Sequence, residues 1–272
     1  YGLHFQLETA KPLPARGYHG SWLRGLLGHA LFRGICLYSE PHCSECALRG
    51  QCAYPQIFKP HLLPQQQRLP CYLLHDWQVK TNSRQVGVVL ILVANAVRYA
   101  ETWITQVATQ ISNLEMGGGG TGHLLQVIDL ATAKVIFVEG RFKPQMTLTP
   151  LNFLPTRQST ISIRFITPLV SKHQHQDPLL APLRTRLQRL VNDYGNGDQL
   201  SLETTLWRIN RVQLRNTVIP RGIEQPRHIR GRIGTIELAE VTRQGALWLA
   251  VGQYVHAGGE TSLGFGRFKI EC

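Results

Sequence analysis

Two tandem ferredoxin-like domains of the α+β class, each running strand, helix, strand, strand, helix, strand, are predicted by two observations. The apolar spacing alternates between a period of 2 and a period of about 3.6, in that same order, twice along the chain. The length, 272 residues of which 43% are apolar, is enough for one large domain or two small ones, and a tandem repeat accounts for it. The boundary falls near residues 144–160, giving expected domains at 1–150 and 151–272.

In the first half, residues 1–9 alternate apolar and polar side chains, as a half-buried strand does. Trp22, Leu23, Leu26, Leu27, Ala30 and Leu31 follow at helical spacing. Residues 36–70 form a Cys- and Pro-rich insert. Residues 71–78 and 85–94 look like paired strands. Val97, Ala100, Ile104, Val107, Ala108 and Ile111 make a second helical stripe, which the tetraglycine 117–120 ends. Residues 123–129 and 134–139 resume as strands.

The second half repeats the order. Ile161, Ile163 and Phe165 share one face of a strand, and Leu180, Leu183, Leu187, Leu190 and Val191 lie at helical spacing. Residues 205–215 and 232–241 read as strands, with residues 216–231 between them as a long exposed loop, because that stretch lacks apolar periodicity and contains Pro220, Gly222 and Pro226. A short helix carries Leu247, Val251, Tyr254 and Val255, and residues 263–271 close as a strand.

Charge points to the class of partner. The chain has 29 Lys+Arg against 17 Asp+Glu, a net charge of +12 with His neutral. Phosphate backbones are the commonest acidic partner for such a surplus, and membrane surfaces come second. No run of 18 apolar residues occurs, so a membrane-spanning helix is not expected. The chain opens on a strand pattern rather than a signal peptide, which makes the cytoplasm the expected compartment. Position 1 is Tyr rather than Met, as in one domain cut from a longer polypeptide.

Three stretches carry chemistry. Residues 208–232 hold seven arginines (Arg208, Arg211, Arg215, Arg221, Arg227, Arg230 and Arg232) and a single acid, Glu224. The planar guanidinium meets phosphate with two parallel hydrogen bonds, and His228 is placed to stack on a base. The ending from His256 to Phe268 is rich in glycine. Gly258, Gly259, Gly264 and Gly266 let the backbone approach a ligand and offer N–H groups for an anion nest, Thr261 and Ser262 add donors, and Arg267 adds charge. His256 stands just before this loop, where it either touches RNA or caps the last helix. Third, Cys36, Cys43, Cys46 and Cys52 follow the pattern Cys-x6-Cys-x2-Cys-x5-Cys. The Cys-x2-Cys pair is half of a common tetrahedral zinc site, so a structural zinc on these four thiolates is expected, with His42 able to replace one of them. Three-ligand binding, an iron–sulfur cluster and free thiols are the alternatives.

Taken together, the ending His256-Ala257-Gly258-Gly259-Glu260-Thr261-Ser262-Leu263-Gly264-Phe265-Gly266-Arg267-Phe268, the segment Trp22-Leu23-Arg24-Gly25-Leu26-Leu27-Gly28-His29-Ala30-Leu31, and the knuckle Cys43-Ser44-Glu45-Cys46 with Cys52-Ala53-Tyr54-Pro55 and Phe58 resemble the CRISPR-associated endoribonucleases that process precursor CRISPR RNA. These belong to the RAMP superfamily, and the knuckle resembles its zinc-containing branch, often found with type III systems. The resemblance spans nearly the whole chain. It implies a cut in CRISPR repeat RNA that needs no catalytic metal and yields mature crRNA. The 2′-hydroxyl attacks the adjacent phosphate, leaving a 2′,3′-cyclic phosphate and a free 5′-OH.

Such chemistry needs a base, an acid and a cation, and histidine suits the first two because imidazole titrates near neutral pH. The first candidate is His29, on the first helix and off its apolar stripe. His19 opens the same helix, and His42 lies where some relatives carry their catalytic histidine. Arg24, Lys11 or Arg16 would stabilise the phosphorane. The glycine-rich ending is shared with superfamily members that bind RNA without cutting it, so a non-catalytic crRNA-binding subunit of an effector complex is the alternative. Effector subunits and fused adaptation domains (reverse transcriptase, integrase) are the further partners that the resemblance implies. An adaptor with a basic, zinc-stabilised surface is a third reading.

Overall fold

A computed structural model describes residues 1–13, 20–38, 42–63, 72–79, 83–113, 120–144, 146–171, 177–195, 205–221 and 227–271. The chain divides into two compact units, Tyr1–Leu151 and Asn152–Cys272.

In the first unit, β1 (Gly2–Thr9) leads to α1 (Gly20–Ile35), a short α2 (Ala53–Phe58), β2 (Tyr72–Val79), β3 (Gln85–Leu92), α3 (Ala100–Gln110) and β4 (Gly122–Asp129). A hairpin of β5 (Val135–Val138) and β6 (Arg141–Phe142) completes it. The sheet order is β2-β3-β1-β4-β5-β6, with neighbours antiparallel. Each helical crossover skips one strand position, so β1 is flanked by β3 and β4. That is the ferredoxin-like order, extended at one edge by the hairpin.

The alternation read from residues 1–9 has a direct cause: Leu3, Phe5 and Leu7 point into the core. There they meet Leu23, Leu27 and Leu31 of α1 and Trp103, Ile104 and Val107 of α3. Buried indole needs a partner for its N–H, and Trp103 Nε1 donates to Leu27 O at 3.1 Å, fixing α3 against α1. The cysteine-rich insert is not without structure. It contains α2, whose Ile57 and Phe58 are buried. Phe58 meets Trp103 edge-on at 5.7 Å and stacks with Tyr54 at 5.5 Å.

The second unit runs β7 (Ile161–Phe165), α4 (Leu180–Tyr194), β8 (Arg208–Arg221), β9 (Arg227–Ala239), α5 (Arg243–Val255) and β10 (Phe268–Glu271). Its sheet order, β10-β7-β9-β8, is again the ferredoxin-like one. Ile161, Ile163 and Phe165 of β7, Ile236 and Leu238 of β9 and Phe268 of β10 are buried with Leu183 and Leu187 of α4 and Trp248 and Leu249 of α5.

One expectation is corrected. Residues 216–231, read above as a loop, are mostly strand: β8 and β9 stay paired from Arg208↔Ala239 out to Arg221↔Arg227. Only 222–226 fall outside the described residues. β7 pairs β9 only across Thr235–Leu238, so the outer part of the hairpin is a two-stranded arm. Seven residues from Arg215 to Arg221 span roughly 20 Å at about 3.3 Å each. An arm with neither face buried in a core has no reason to alternate apolar and polar side chains, which removes the signal by which strands are recognised. The β-branched residues Thr217, Val218, Ile219 and Ile229 remain as the trace of strand preference.

Candidate nucleic-acid interface

The β8–β9 hairpin gathers the basic residues into two adjacent rows. Arg208, Arg211 and Arg215 on β8, and His228 and Arg230 on β9, are exposed, and Arg232 is half-buried. Arg208 Nε is held by Glu240 Oε1 at 2.9 Å. Asn216 sits opposite Arg232, and Val218 opposite Arg230. Arg221 and Arg227 form the outermost described pair of the ladder.

The glycine-rich ending is built differently from an open nest. His256 ends α5 with φ at +63° and gives its amide to Gly252 O at 2.8 Å. Its ring Nδ1 is 3.1 Å from Phe265 O. A carbonyl can only accept, so Nδ1 carries the proton. Ala257 N donates to Gly266 O, Gly259 N to Val170 O, Gly264 N to Thr261 O, Gly266 N to Pro168 O and Arg267 N to Thr167 Oγ1, all at 2.8–2.9 Å. These amides are therefore engaged within the unit, and the expected nest cannot be made of them. His256, Thr261, Gly264, Gly266 and Arg267 are buried; Gly258 and Ser262 are partly exposed, and Gly259 is exposed. Gly266 is required by geometry, since its φ is +73° and a Cβ there would overlap Ala257 O.

Sequence reasoning missed the groups that anchor this loop. Thr167 Oγ1 donates to Gly264 O at 2.7 Å while accepting from the amide of Arg267. Arg186 is 4% exposed, and its Nε donates to Val255 O at 3.0 Å, at the end of α5. Burial depresses its guanidinium pKa to about 10. A cation at a helix C-terminus meets the negative end of the dipole and an otherwise orphaned carbonyl. A charged residue interrupting the apolar stripe of α4, one position before Leu187, was the available signal.

In the first unit, His29 is exposed on α1, between the half-exposed Gly25 one turn before and the exposed Arg33 one turn after. Among the described residues, and apart from its chain neighbours and the helix's own backbone, a side-chain carbon at Gly25 would meet no heavy atom within 4 Å. Helical side chains lean toward the N-terminus, so His29 leans toward that open space. Arg24 instead lies over the Phe58 ring at 5.7 Å. His42 is exposed in the turn before Cys43, and Lys11 is exposed. His19 and Arg16 lie outside the described residues.

The four cysteines of the insert come into one neighbourhood. Cys43 is buried, and Cys36, Cys46 and Cys52 are half-buried. Burial chiefly raises the pKa of the Cys52 thiol; a hydrogen bond from the backbone at Tyr54 opposes this, and the charges of Cys36, Cys43 and Cys46 add to it. Four cysteines are the donor type that zinc takes as thiolates. Yet among the described residues no three His, Cys, Asp or Glu side chains stand close enough to hold an ion as placed. The thiols would have to draw together around it.

Two ferredoxin-like units, the second bearing an arginine-lined hairpin and an anchored glycine-rich ending, give the chain a RAMP-like fold. Residues 1–148 match the family model AF_1859_N, described as an N-terminal domain, and residues 163–268 match that of the CRISPR-associated endoribonuclease Cas6. The first unit belongs to the family of that N-terminal domain, and the second carries a Cas6-family domain. It is 20% identical over 264 residues to an uncharacterized protein of Archaeoglobus fulgidus, covering 92% of this chain and 91% of that one. A Cas6 product complex of Thermus thermophilus shares the fold with a TM-score of 0.61 at 15% identity, over 99% of both chains. A structure described as a RAMP protein binding different RNA substrates has a TM-score of 0.53 at 11% identity, covering 100% of this chain and 99% of that one. Among the described residues no helix is long and apolar enough to cross a membrane.

Proposed function

We propose that this protein cleaves CRISPR repeat RNA at a specific site to release mature crRNA. In the reaction, the 2′-oxygen forms a bond to the adjacent phosphorus as its proton passes to a base. The bond from phosphorus to the 5′-oxygen breaks, and that oxygen takes a proton from an acid. The products are a 2′,3′-cyclic phosphate and a 5′-hydroxyl, and no catalytic metal enters the step. His29 serves as base or acid, and Arg33 neutralises the phosphorane charge. His19 and His42 are the further candidates for the second proton-transfer role. The basic arm holds the RNA backbone.

The observation that carries this reading is the exposed His29, facing open space over Gly25 with a guanidinium one turn away, in a chain whose second unit matches an endoribonuclease model. A zinc ion on Cys36, Cys43, Cys46 and Cys52 belongs to the same reading, as a structural tie for the insert. The second reading, a crRNA-holding subunit without activity, draws support from the structural likeness to a RAMP protein described only as binding RNA.

The deciding experiment incubates the protein with labelled CRISPR repeat RNA in EDTA, beside RNAs carrying one 2′-deoxy substitution at each position. A single cut ending in a cyclic phosphate, abolished by one deoxy position, is the expected result. Tight binding with intact RNA would replace the enzyme with the holding subunit.

A further inference from the structure

The segment just after β7 ties the arm to the glycine-rich ending. Leu169 and Arg232 exchange backbone hydrogen bonds at 2.8 and 3.0 Å. Next to them, Pro168 and Val170 accept from Gly266 and Gly259. The crossing is close: a Cβ at Gly231 would lie 2.8 Å from Pro168 Cβ and 3.0 Å from Leu169 O. Beside it opens a cavity of about 250 Å³, lined by Leu169, Ser171, Asn216, Thr217, Arg230 and Arg232, with Val218 and Gly231 completing the wall.

The lining is selective. Among the described residues it contains two guanidinium groups and no carboxylate, which favours an anion. It also offers the apolar carbons of Leu169 and Val218, which a phosphate alone cannot use. Asn216 brings a donor and an acceptor on one planar amide, the pairing that reads a base edge. The volume lies just below the roughly 300–1,000 Å³ typical of small-molecule sites, suited to one nucleotide and too small for a base pair.

We propose that this cavity is a single-nucleotide subsite: one unpaired nucleotide of the bound RNA enters it, with its phosphate on Arg230 and Arg232 and its base edge on Asn216. The proposal rests on the RNA-binding reading above and adds to it a point at which sequence is read.

The test is a double-mutant cycle between protein and RNA. Affinities of the wild-type protein and Asn216→Ala are measured by fluorescence anisotropy for a repeat RNA carrying an abasic site at each position in turn. At one position the abasic RNA should bind the wild type roughly tenfold more weakly, yet bind Asn216→Ala no more weakly than the intact RNA does. Arg230→Ala should weaken all the RNAs alike. If the abasic and Asn216→Ala effects multiply fully at every position, the RNA is bound but the subsite is wrong. If the wild type binds no repeat RNA, the underlying reading falls as well.

Discussion

Arg186 Nε donates to the carbonyl oxygen of Val255, the last residue of α5, across 3.0 Å of protein interior. This hydrogen bond joins α4 to the root of the glycine-rich ending, because His256 follows directly and turns the chain with a positive φ. Removing it leaves a buried carbonyl unpaired and a space where the side chain was. Arg186→Ala should lower stability by about 2–3 kcal/mol, measured by chemical unfolding. Arg186→Lys should recover only part of it, since an ammonium lacks the planar fork.

His29→Ala should reduce cleavage roughly 10²–10⁴-fold, the range for loss of a general acid or base, with RNA affinity unchanged. Single-turnover rates at saturating protein would show this. Cleavage at the wild-type rate would remove His29 from the mechanism. Since His29 is solvent-exposed, the variant should melt at the same temperature as the parent.

Arg215→Ala on the outer arm should weaken RNA binding for all sequences and reduce the steepness of its salt dependence. Each neutralised phosphate contributes about 0.7 to the slope of log K against log salt for single-stranded RNA, and the variant should fall short of the parent by that amount. An unchanged slope would mean that this side chain meets no phosphate.

Gly266→Ala should cost more than a surface substitution, because the added carbon would collide with Ala257 O at a backbone angle of +73°. A destabilisation of roughly 1–3 kcal/mol is expected from such strain, accompanied by weaker RNA binding. If both stay at the parent value, the ending is not held as described.

The cysteine cluster predicts a pH response whose sign is fixed. The Cys52 thiol has a raised pKa, caused first by burial. In the unfolded chain it would ionise at its ordinary value, so unfolding above that value releases a proton. Stability of the metal-free protein should therefore be full below the ordinary thiol range and fall as pH rises through it. Zinc reverses the preference, because it binds thiolate and displaces protons. Metal analysis of the purified protein, with and without release by a mercurial, should give one zinc per chain. Six reactive thiols, counted in denaturant, and no metal would refute the site.

The cores were legible because they obey periodicity. Leu3, Phe5 and Leu7 alternate, and Trp103, Ile104 and Val107 share a helical face, so both packed layers of the first unit could be read from spacing alone. The arm was not legible, because pairing between Asn216 and Arg232 or Val218 and Arg230 leaves no hydrophobic record when neither face enters a core. The short helix α2 was hidden inside a Cys- and Pro-rich run; its Pro55 lies in the first turn, where a missing N–H costs nothing. At the interface, the arginines announced themselves by number. The anchors Thr167 and Arg186 did not, since each acts on a backbone carbonyl far away in the chain, and no local pattern encodes such a partner.

The arm's lack of a buried face has an evolutionary meaning. Outside the crossing at Gly231, substitutions there disturb no core packing and so carry little folding penalty, while each one alters the surface offered to a ligand. Over generations the hairpin can drift through many sequences at nearly constant stability, and the rigid unit beneath it need not change. Descendants facing a new ligand would adapt first along these two strands.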